Sequence, residues 1–445
     1  MNPPSELSLK KIFITWWPLA LSWFLMALEL PALSAIVARL PDPKINLAAY
    51  GGIVFPLALI IEAPIIMLLA ASTALSKDWK SYQKIRKFMH TTSAILSGLH
   101  ILVVATPLYM FLVEKIIGSP QEIVNPARIG LAIMLPWTWA VAYRRFNQGV
   151  LIRFGHSVTV GKGTFVRLSA DLAVLAAGYF VKTIPGIIVA TSAVAAGVIS
   201  EAIYIGIKVR PVLKTQLKPL PEVRPELSKK AFLNYYIPLA LTSLITLLSQ
   251  PLISAALSRM PRALDSLAVW PVISGMLFMF RSLNVAYNEV VVTLLDKPNS
   301  YYNLRKFAMG LVVFTSGLLL IVTVTPLSTI WFEKISALPP SLVHLANTAL
   351  WFSLLIPAAN AFQSWFQGII LLSGKTRGIP EAVFFFLFVT LIVYSLGIIQ
   401  DKIPGLYIGT IGFSLGMVCQ AAWLKIRSRK SAHQYQIIKY PHDSL

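Results

Sequence analysis

The feature that most constrains this chain is an internal repeat that covers nearly its whole length. The tetrapeptide PLAL at 18–21 returns at 238–241, and the offset between copies stays at 220 or 219 residues. Further pairs are Pro31 and Pro251, Arg39 and Arg259, RKF at 86–88 and 305–307, TPL at 106–108 and 325–327, and QG at 148–149 and 367–368. Two hydrophobic halves in the same order predict two equivalent helical bundles. In secondary transporters, such repeats place the substrate at their interface near the middle of the bilayer.

The composition indicates that these bundles lie in lipid. Of 445 residues, 56% are hydrophobic and only 13% are charged, whereas soluble domains carry about 25% charged residues. The first apolar run, 12–40, is longer than the roughly 7–15 residues of a signal-peptide core and contains Glu29, so we interpret it as the first membrane helix. The single cysteine, Cys419, excludes an intramolecular disulfide and a cysteine-only metal site.

The apolar stretches predict an all-α polytopic membrane protein with twelve transmembrane helices, arranged as two six-helix parallel repeats. Each stretch reaches the length of about 20 residues that a membrane span needs. They lie near 12–40, 48–76, 91–117, 129–153, 163–182, 188–208, 233–259, 267–295, 308–333, 342–373, 381–399 and 404–424. We therefore expect an N-terminal bundle over 1–208, a basic linker over 209–232, a C-terminal bundle over 233–424 and a basic tail over 425–445.

The distribution of basic residues predicts the topology. Most of the 39 Lys and Arg residues fall in alternate connections. These are 1–11, 77–90, 153–167, 208–230, 297–306, 375–377 and 425–445. This bias predicts that both termini, the linker and the tail are cytoplasmic. It also explains the net charge of +21 by topology and by attraction to anionic headgroups.

The same charge pattern makes nucleic acid an unexpected partner, because no soluble basic domain carries these residues. We expect an integral protein of the plasma (inner) membrane, in contact with membrane lipids and monomeric. The chain contains no GxxxxGK[ST] phosphate loop, and no HExxH or GxSxG motif stands in a span. We therefore expect neither an ATP-driven motor nor an enzyme, and no cofactor or metal.

Ionisable residues inside the spans are the functional candidates, because an ionisable group in the bilayer is costly unless it is paired or hydrated. They are Glu29, Glu62, Arg144, Arg145, Asp171, Glu201, Arg281 and Glu289. Glu62 and Arg281 occupy equivalent positions of the repeat, one as an anion and the other as a cation. They form either a substrate or coupling site or a buried salt bridge between the halves, and the two interpretations are compatible if the bridge opens during transport.

Two short segments supply the predicted substrate-binding residues. Arg281, Asn284 and Asn288 recur at i, i+3 and i+7 on one helical face. An arginine beside two amides suits a carboxylate or phosphate, although the amides could instead join helices. Arg144, Arg145 and Asn147 follow one another in AYRRFNQG, where one arginine can face a cavity while the other reaches the membrane boundary.

Three carboxylates are candidates for proton or ion coupling: Glu29, Glu62 and Glu289. A carboxylate removed from water can exchange a proton near neutral pH, but Glu29 could equally be the partner of an arginine. Asp171 and Glu201 lie nearer the ends of their spans, where we expect packing or boundary roles. His100 we interpret as a core histidine rather than a proton relay.

Together these features resemble the multidrug/oligosaccharidyl-lipid/polysaccharide (MOP) exporter superfamily, which contains the MATE transporters. Within it, LAAYGG at 47–52, SGLHILVVATPLYMFLVEKIIG at 97–118 and LPWTWAVAYRRFNQGVLIRFGHS at 135–157 resemble the progressive ankylosis (ANK) protein family. The superfamily implies alternating access by rocking of two bundles. The ankylosis branch implies export of anionic metabolites such as citrate or species linked to pyrophosphate, and the MATE branch implies expulsion of organic cations.

The sequence departs from both branches. It lacks a well-matched acidic residue in the first helix of the proton-coupled MATE pattern, although Glu29-Leu30-Pro31 is nearby, and it carries Arg144-Arg145 where animal ankylosis proteins have mostly neutral residues. The leading hypothesis is a secondary transporter that exports a small organic or phosphorylated anion; the transport is either coupled to H+ or Na+ or driven by voltage alone. The alternatives are a cation-coupled multidrug antiporter and a flippase for lipids or lipid-linked sugars.

Overall fold

The computed structural model describes residues 7–296, 300–373 and 377–437, and in this part of the chain the regular structure is helical. Parts of the predicted N-terminus, of the basic connections 297–306 and 375–377 and of the tail 425–445 lie outside the described residues. In the first repeat the helices are α1 Leu9–Ala27, α2 Glu29–Val37, α3 Pro43–Ala49, α4 Phe55–Ile66, α5 Leu68–Leu75, α6 Trp79–Ala105, α7 Leu108–Met110, α8 Gln121–Ile133, α9 Leu135–Arg153, α10 Ser157–Val181 and α11 Gly186–Val212.

The second repeat follows the same order. Its helices are α12 Lys229–Leu247, α13 Ser249–Ser258, α14 Ala263–Leu294, α15 Ser300–Val324, α16 Leu327–Ile330, α17 Pro340–Trp351, α18 Leu355–Leu372, α19 Gly378–Gln400 and α20 Gly405–Ile437. Short π-helical segments cover Tyr50–Val54, Phe111–Ile117, Leu213–Leu217 and Trp331–Ile335.

Eleven helical stretches of the described residues are long and apolar enough to cross a bilayer. The prediction of an all-α membrane protein is therefore confirmed, with a count close to the twelve expected. The predicted span at 129–153 is the one missing from the eleven. It is divided between α8 and α9, and α9 is less apolar because it carries Arg144, Arg145 and Arg153.

Prolines at equivalent positions of the repeat interrupt the first helix of each half. Pro31 has no N–H to donate to the carbonyl of Ala27, and α1 ends at that residue before α2 begins at Glu29. Pro251 stands in the same relation to Leu247, where α12 ends and after which α13 begins. The repeated prolines in the sequence thus correspond to repeated breaks in the fold.

The repeated Gln-Gly dipeptide marks two close helix contacts. A Cβ at Gly149 of α9 would overlap the backbone carbonyl of Leu69 on α5. At Gly368 of α18, a Cβ would lie 2.7 Å from the side chain of Val291 on α14. Only glycine lets these backbones approach so closely.

Contacts divide the chain into two compact units that differ from the predicted halves. Unit 1 contains Met1–Ala35, Met260–Arg262 and Val269–Leu445, and unit 2 contains Ile36–Arg259 and Ala263–Ala268. Relative to the expected bundles 1–208 and 233–424, α1 belongs to unit 1 and α12 and α13 belong to unit 2. The reason is packing, since a helix joins the unit that its side chains contact.

Hydrogen bonds from the first helix of each repeat illustrate this packing. Within unit 1, the indole Nε1 of Trp16 on α1 donates to the carbonyl of Leu283 on α14 at 2.9 Å. Within unit 2, the hydroxyl of Tyr236 on α12 donates to the carbonyl of Pro64 on α4. Both side chains are buried, so each helix is held by polar as well as apolar contacts.

The predicted linker and tail begin later than the sequence suggested. Helix α11 runs to Val212 and continues as a π-helical segment to Leu217, while α12 begins at Lys229. Only 218–228 of the predicted linker 209–232 therefore lies between helices. Likewise, α20 continues to Ile437, so the described start of the predicted tail 425–445 is part of a helix. Charge and proline content suggested loops, but local helical hydrogen bonding continues through both segments.

Candidate functional site

Unit 2 contains a buried group of charged side chains centred on Glu201 of α11. Its Oε2 lies 2.5 Å from the guanidinium of Arg144 on α9, and both side chains are buried. The side-chain amide of Gln148, one turn further along α9, donates to the other carboxylate oxygen at 2.8 Å. Arg167 of α10 approaches to 3.9 Å. A sequence-predicted substrate residue, Arg144, is thus engaged with a carboxylate that we had expected to have a packing or boundary role.

Glu62 and Arg145 complete what we call the charged cluster, which consists of Glu62, Arg144, Arg145, Gln148, Arg167 and Glu201. Glu62 on α4 is buried, and the strongest attraction on it within unit 2 comes from Arg145, followed by Arg144 and Arg167. The Nε of Arg145 is buried without a hydrogen-bond partner in the described structure. Glu62 and Arg281 belong to different units, and their predicted pairing stays a prediction.

Unit 1 has a polar pocket that includes the repeat counterparts of Arg144, Arg145 and Gln148. Its volume is about 270 Å³. The residues that line it are Val285, Asn288, Glu289, Asn360, Gln363, Ser364 and Gln367. We call it the amide pocket, because four of these side chains carry a carboxamide. Among the predicted site residues it contains Asn288 and Glu289, and it adds polar groups from α18 that sequence reasoning had not assigned to a site.

Arg281 and Asn284 lie on the same helix as the amide pocket but have different surroundings. Asn284 is buried, and its amide donates to the hydroxyl of Thr315 at 3.2 Å and to the carbonyl of Pro357 at 3.0 Å. These bonds join helices, which was the alternative interpretation. The guanidinium of Arg281 lies 5.4 Å from the ring of Phe413, and among the described residues of its own unit it has no carboxylate partner.

The remaining predicted residues are dispersed. Glu29 begins α2 and is partly buried, and Glu289 is exposed at the amide pocket, where the indole of Trp23 lies 3.5 Å from its carboxylate. Asn147 is buried, and its amide donates to the carbonyl of Tyr143 at 2.9 Å, outside the charged cluster. His100 is buried with its Nδ1 3.1 Å from the hydroxyl of Thr138, as a core histidine would be.

The internal repeat contained a signal for the residues that sequence reasoning missed. Arg144 and Glu201 correspond to Gln363 and Gln420 at the offset of 219. In unit 1 the amide of Gln363 donates to the side-chain oxygen of Gln420 at 3.2 Å. The two positions therefore contact each other in both repeats and change together from a charged to a neutral pair. This joint change favours Glu201 and Asp171, which corresponds to Thr390, as candidate partners of Arg144, and the structure selects Glu201.

No protein-family model matches this sequence, and no curated protein sequence is similar to it. Solved structures do share its fold. An inward-facing multidrug resistance MATE family transporter of the MOP superfamily has a TM-score of 0.69 at 14% identity, over 94% of this chain and 98% of that one. The lipid II flippase MurJ, in an inward closed conformation, has a TM-score of 0.75 at 15% identity, over 95% and 90%.

A third solved structure is a MOP superfamily transporter from Pyrococcus furiosus, described as having a binding pocket of reverse polarity. Its TM-score is 0.59 at 16% identity, with 97% of both chains covered. These proteins are transporters and a flippase rather than enzymes. The chain thus shares the fold of these MOP superfamily proteins, and the predicted MATE-like fold is confirmed. The closer resemblance to the ankylosis family stays a prediction.

Proposed function

We propose that this protein is a secondary transporter that moves a small organic or phosphorylated anion across the membrane by alternating access of its two repeats. The observation that carries the proposal is Arg281. This arginine is partly buried in unit 1, stacks on Phe413 and has no carboxylate partner among the described residues of that unit. A guanidinium in this state is suited to meet the carboxylate or phosphate of a substrate.

The amide pocket supports the same assignment. Asn288 lies seven residues after Arg281 on α14, which places it on the same helical face about 10 Å further along the axis. Neutral amides from α18 also line the pocket. Amides both donate and accept hydrogen bonds, so they can hold the hydroxyl and carbonyl groups of a polar metabolite whose charge is bound by Arg281.

The arginines of the charged cluster have surroundings different from those of Arg281. Arg144 and Arg167 lie beside Glu201, and Arg145 is the strongest charge acting on Glu62. Arg144 and Arg167 thus have a carboxylate beside them within unit 2, whereas the Nε of Arg145 has no hydrogen-bond partner in the described structure. We therefore assign substrate binding to Arg281 first, and the predicted substrate roles of Arg144, Arg145 and Asn147 rank below it.

One observation favours the alternative, a cation-coupled antiporter of organic cations. Glu289 lines the amide pocket and is exposed, so its carboxylate could attract a cation. The two functions differ in the charge of the molecule that is moved. Transport assays with probes of opposite charge therefore distinguish them.

The experiment uses the full chain reconstituted in vesicles, with radiolabelled citrate and pyrophosphate as anionic probes and ethidium as a cationic probe. We expect Arg281→Gln to reduce anion flux at least tenfold and Arg281→Lys to restore it poorly, because lysine lacks the planar fork of donors. Arg305→Gln is the matched control, since Arg305 is an exposed arginine of unit 1. Ethidium flux that stops in Glu289→Gln but continues in Arg281→Gln would replace this proposal by the cation alternative.

Coupling is tested with the same vesicles. Glu29→Gln mimics the protonated carboxyl, and we expect it to flatten the pH dependence of flux while some substrate binding remains. The pH gradient and the membrane voltage are set independently, and flux is measured against each. If flux follows voltage alone and the Glu29→Gln variant behaves like the unaltered protein, proton coupling through Glu29 is wrong.

A further inference from the structure

Two adjoining cavities of unit 2 are lined by residues outside the charged cluster. The first, which we call the side groove, runs between α9 and α11 and has a volume of about 430 Å³. Most of the residues that line it are apolar, and Trp139, Ile203 and Ile207 are exposed along it. In a membrane protein, an exposed apolar groove of this kind faces the acyl chains of lipids.

The second cavity, which we call the basic cavity, continues from the side groove toward the start of α6. Its volume is about 190 Å³, and its lining includes Tyr82, Arg86, Tyr143, Asn147 and Arg210. Tyr143, Gly206 and Arg210 line both cavities, so the apolar and basic parts are continuous. Among the described residues that line them, none is acidic, and neither Arg86 nor Arg210 forms an ion pair.

Glycine at position 206 makes this junction possible. A Cβ there would lie 2.7 Å from the hydroxyl oxygen of Tyr143 and 2.8 Å from its ring. Without a side chain on α11 at this point, the ring of Tyr143 can lie against the helix. Its hydroxyl then faces the region where the two cavities meet.

We propose that the side groove and the basic cavity together bind one anionic phospholipid. The phosphate lies between Arg86 and Arg210, within reach of the hydroxyl of Tyr143, and one acyl chain lies along the side groove. The charges are complementary, because two unpaired guanidinium groups meet a phosphate without a compensating cation. Phosphatidylcholine is disfavoured, because its choline would bring a positive charge close to the arginines. The site also lies at the membrane end that carries the basic residues 77–90, where the topology predicts the anionic leaflet.

The other repeat contains a second groove at equivalent positions, which provides an internal comparison. Between α18 and α20 of unit 1, a cavity of about 290 Å³ is lined by residues that match those of the side groove at the offset of 219. It has Phe362 and Phe366 where unit 2 has Tyr143 and Asn147, and Lys425 where unit 2 has Gly206. The tyrosine hydroxyl and the asparagine amide are thus specific to unit 2, whereas the two arginines have counterparts in Arg305 and Arg429, which do not line the groove of unit 1.

The test is native mass spectrometry of the full chain, purified in a neutral detergent and incubated with equal amounts of phosphatidylglycerol and phosphatidylcholine that have identical acyl chains. We expect one predominant phosphatidylglycerol adduct. A basic residue near a membrane surface changes lipid affinity about fivefold, so Arg86→Gln with Arg210→Gln should reduce the preference at least tenfold. Lysine at both positions should restore most of it.

The matched control is Arg305→Gln with Arg429→Gln, the exposed repeat counterparts of the same two arginines. We expect this variant to keep the lipid preference within about twofold, and melting temperatures will show that both double variants are folded. Equal loss in both, or no loss in the Arg86 and Arg210 variant, would overturn the proposal. Displacement of the lipid by millimolar inorganic phosphate would also overturn it, because the apolar groove would then contribute nothing. If the double variant melts at a lower temperature than the unaltered protein, the single Arg86→Gln and Tyr143→Phe variants replace it. The ratio of phosphatidylglycerol to phosphatidylcholine adducts of these single variants then decides whether the proposal holds.

Discussion

One pair of helices is joined differently in the two repeats. Between α9 and α11, Arg144 and Glu201 form a buried ion pair at 2.5 Å. Between α18 and α20, at the equivalent positions, Gln363 donates a neutral hydrogen bond to Gln420 at 3.2 Å. The same helix–helix contact therefore forms with either an ion pair or a neutral hydrogen bond. Since a buried ion pair rarely stabilises more than a neutral replacement of similar size, the charges in unit 2 are not required to hold the helices together.

The difference extends beyond this pair. Asp171 and Arg167 of unit 2 correspond to Thr390 and Phe386 of unit 1 at the offset of 219. Glu62 of unit 2 corresponds to Arg281 of unit 1, so the side chains at this repeat position have opposite charges in the two units. Unit 2 thus groups arginines with carboxylates, whereas unit 1 combines Arg281, which has no carboxylate partner among the described residues of that unit, with a pocket of amides that contains the single carboxylate Glu289. This contrast is the reason to assign substrate binding to unit 1 first.

The largest expected effect comes from breaking the ion pair of unit 2. Either Arg144→Gln or Glu201→Gln leaves a buried charge without its partner, so we expect the free energy of unfolding to fall by about 3–5 kcal/mol. The double variant reproduces the Gln–Gln pair of unit 1 and should recover most of that loss. Unfolding of the purified protein in detergent, followed by denaturant titration, measures these values.

The control for this comparison is in the other repeat. Gln420→Leu removes a neutral acceptor, and we expect a loss of about 1 kcal/mol. Single variants of Arg144 and Glu201 that unfold like the unaltered protein would show that water or other groups solvate the remaining charge. A double variant no better than the singles would show that the two repeats are not interchangeable at this contact.

A second prediction compares two glycines at equivalent close contacts. A Cβ at Gly197 of α11 would overlap the carboxylate of Asp171, and one at Gly416 of α20 would overlap the hydroxyl of Thr390. Overpacking of a core costs about 1–3 kcal/mol. We expect Gly197→Ala at the upper end of this range and Gly416→Ala lower, because only the first displaces a buried carboxylate.

Gly98→Ala is the control for these substitutions, because no atom lies within 4 Å of a Cβ there. In the exposed face of α6, alanine should stabilise the helix by about 0.5–1 kcal/mol. Melting curves of the Gly197→Ala, Gly416→Ala and Gly98→Ala variants give the order of their stabilities. Equal losses at Gly197 and Gly416 would mean that steric overlap alone decides the cost, and that the charge of Asp171 has no part in it.

The sequence was sufficient for the helices but not for their grouping. Apolar length and the repeated prolines Pro31 and Pro251 predict the spans and their breaks, because both depend on local backbone chemistry. The assignment of α1 to unit 1 depends on contacts such as that of Trp16 with Leu283, which are remote in sequence. The helical ends of the predicted linker were missed for a related reason, since prolines such as Pro211 are tolerated within α11.

For the candidate site, the charged residues could be predicted from the sequence, but the residues that they contact could not. The cost of intramembrane charge correctly selected Arg144, Glu62 and Arg281 as residues to examine. The cost of a charge in the membrane does not predict that Arg144 pairs with Glu201, because every carboxylate at a similar depth in the bilayer is an equally suitable partner. The amide pocket was missed for the opposite reason: Gln363 and Asn360 are neutral, and polar uncharged residues in a span give a weak signal.

A third prediction concerns Asp78, the carboxylate that caps α6 outside the membrane spans. Its oxygens accept hydrogen bonds from the backbone N–H groups of Ser81 and Val223, each at 2.7 Å. Burial alone would raise the pKa of Asp78, but these hydrogen bonds outweigh it and hold the pKa below its ordinary value. Helices α1 and α12 are counterparts of each other in the repeat. They are capped by neutral hydroxyls, those of Ser8 and Ser228.

The lowered pKa sets the sign of the pH dependence. A carboxyl whose pKa is lower in the folded state contributes its stability above the unfolded value of about 3.9, and that stability is lost as pH falls through the folded pKa. We expect Asp78→Asn to cost about 1 kcal/mol at pH 7 and progressively less as pH falls below the unfolded value of about 3.9. Ser228→Ala, which removes a neutral cap, should cost a similar amount at both pH values. A pH-independent loss for Asp78→Asn would show that the charge of this cap is irrelevant.

The smallest effect is expected at the exposed ion pairs that accompany Asp78. Lys80 lies 2.8 Å from Glu222 and 3.3 Å from Glu226, and Lys84 lies 3.0 Å from Glu226, with all four side chains about half exposed. Water and salt screen such pairs, in contrast to the buried pair of Arg144 and Glu201. We therefore expect Glu222→Gln with Glu226→Gln to leave the melting temperature unchanged within error. Hydrogen exchange at the Val223 amide, which Asp78 binds, should rise only slightly and should not differ between low and high salt. A loss as large as that of Asp78→Asn, removed by salt, would instead show that surface charge holds the segment 218–228 in place.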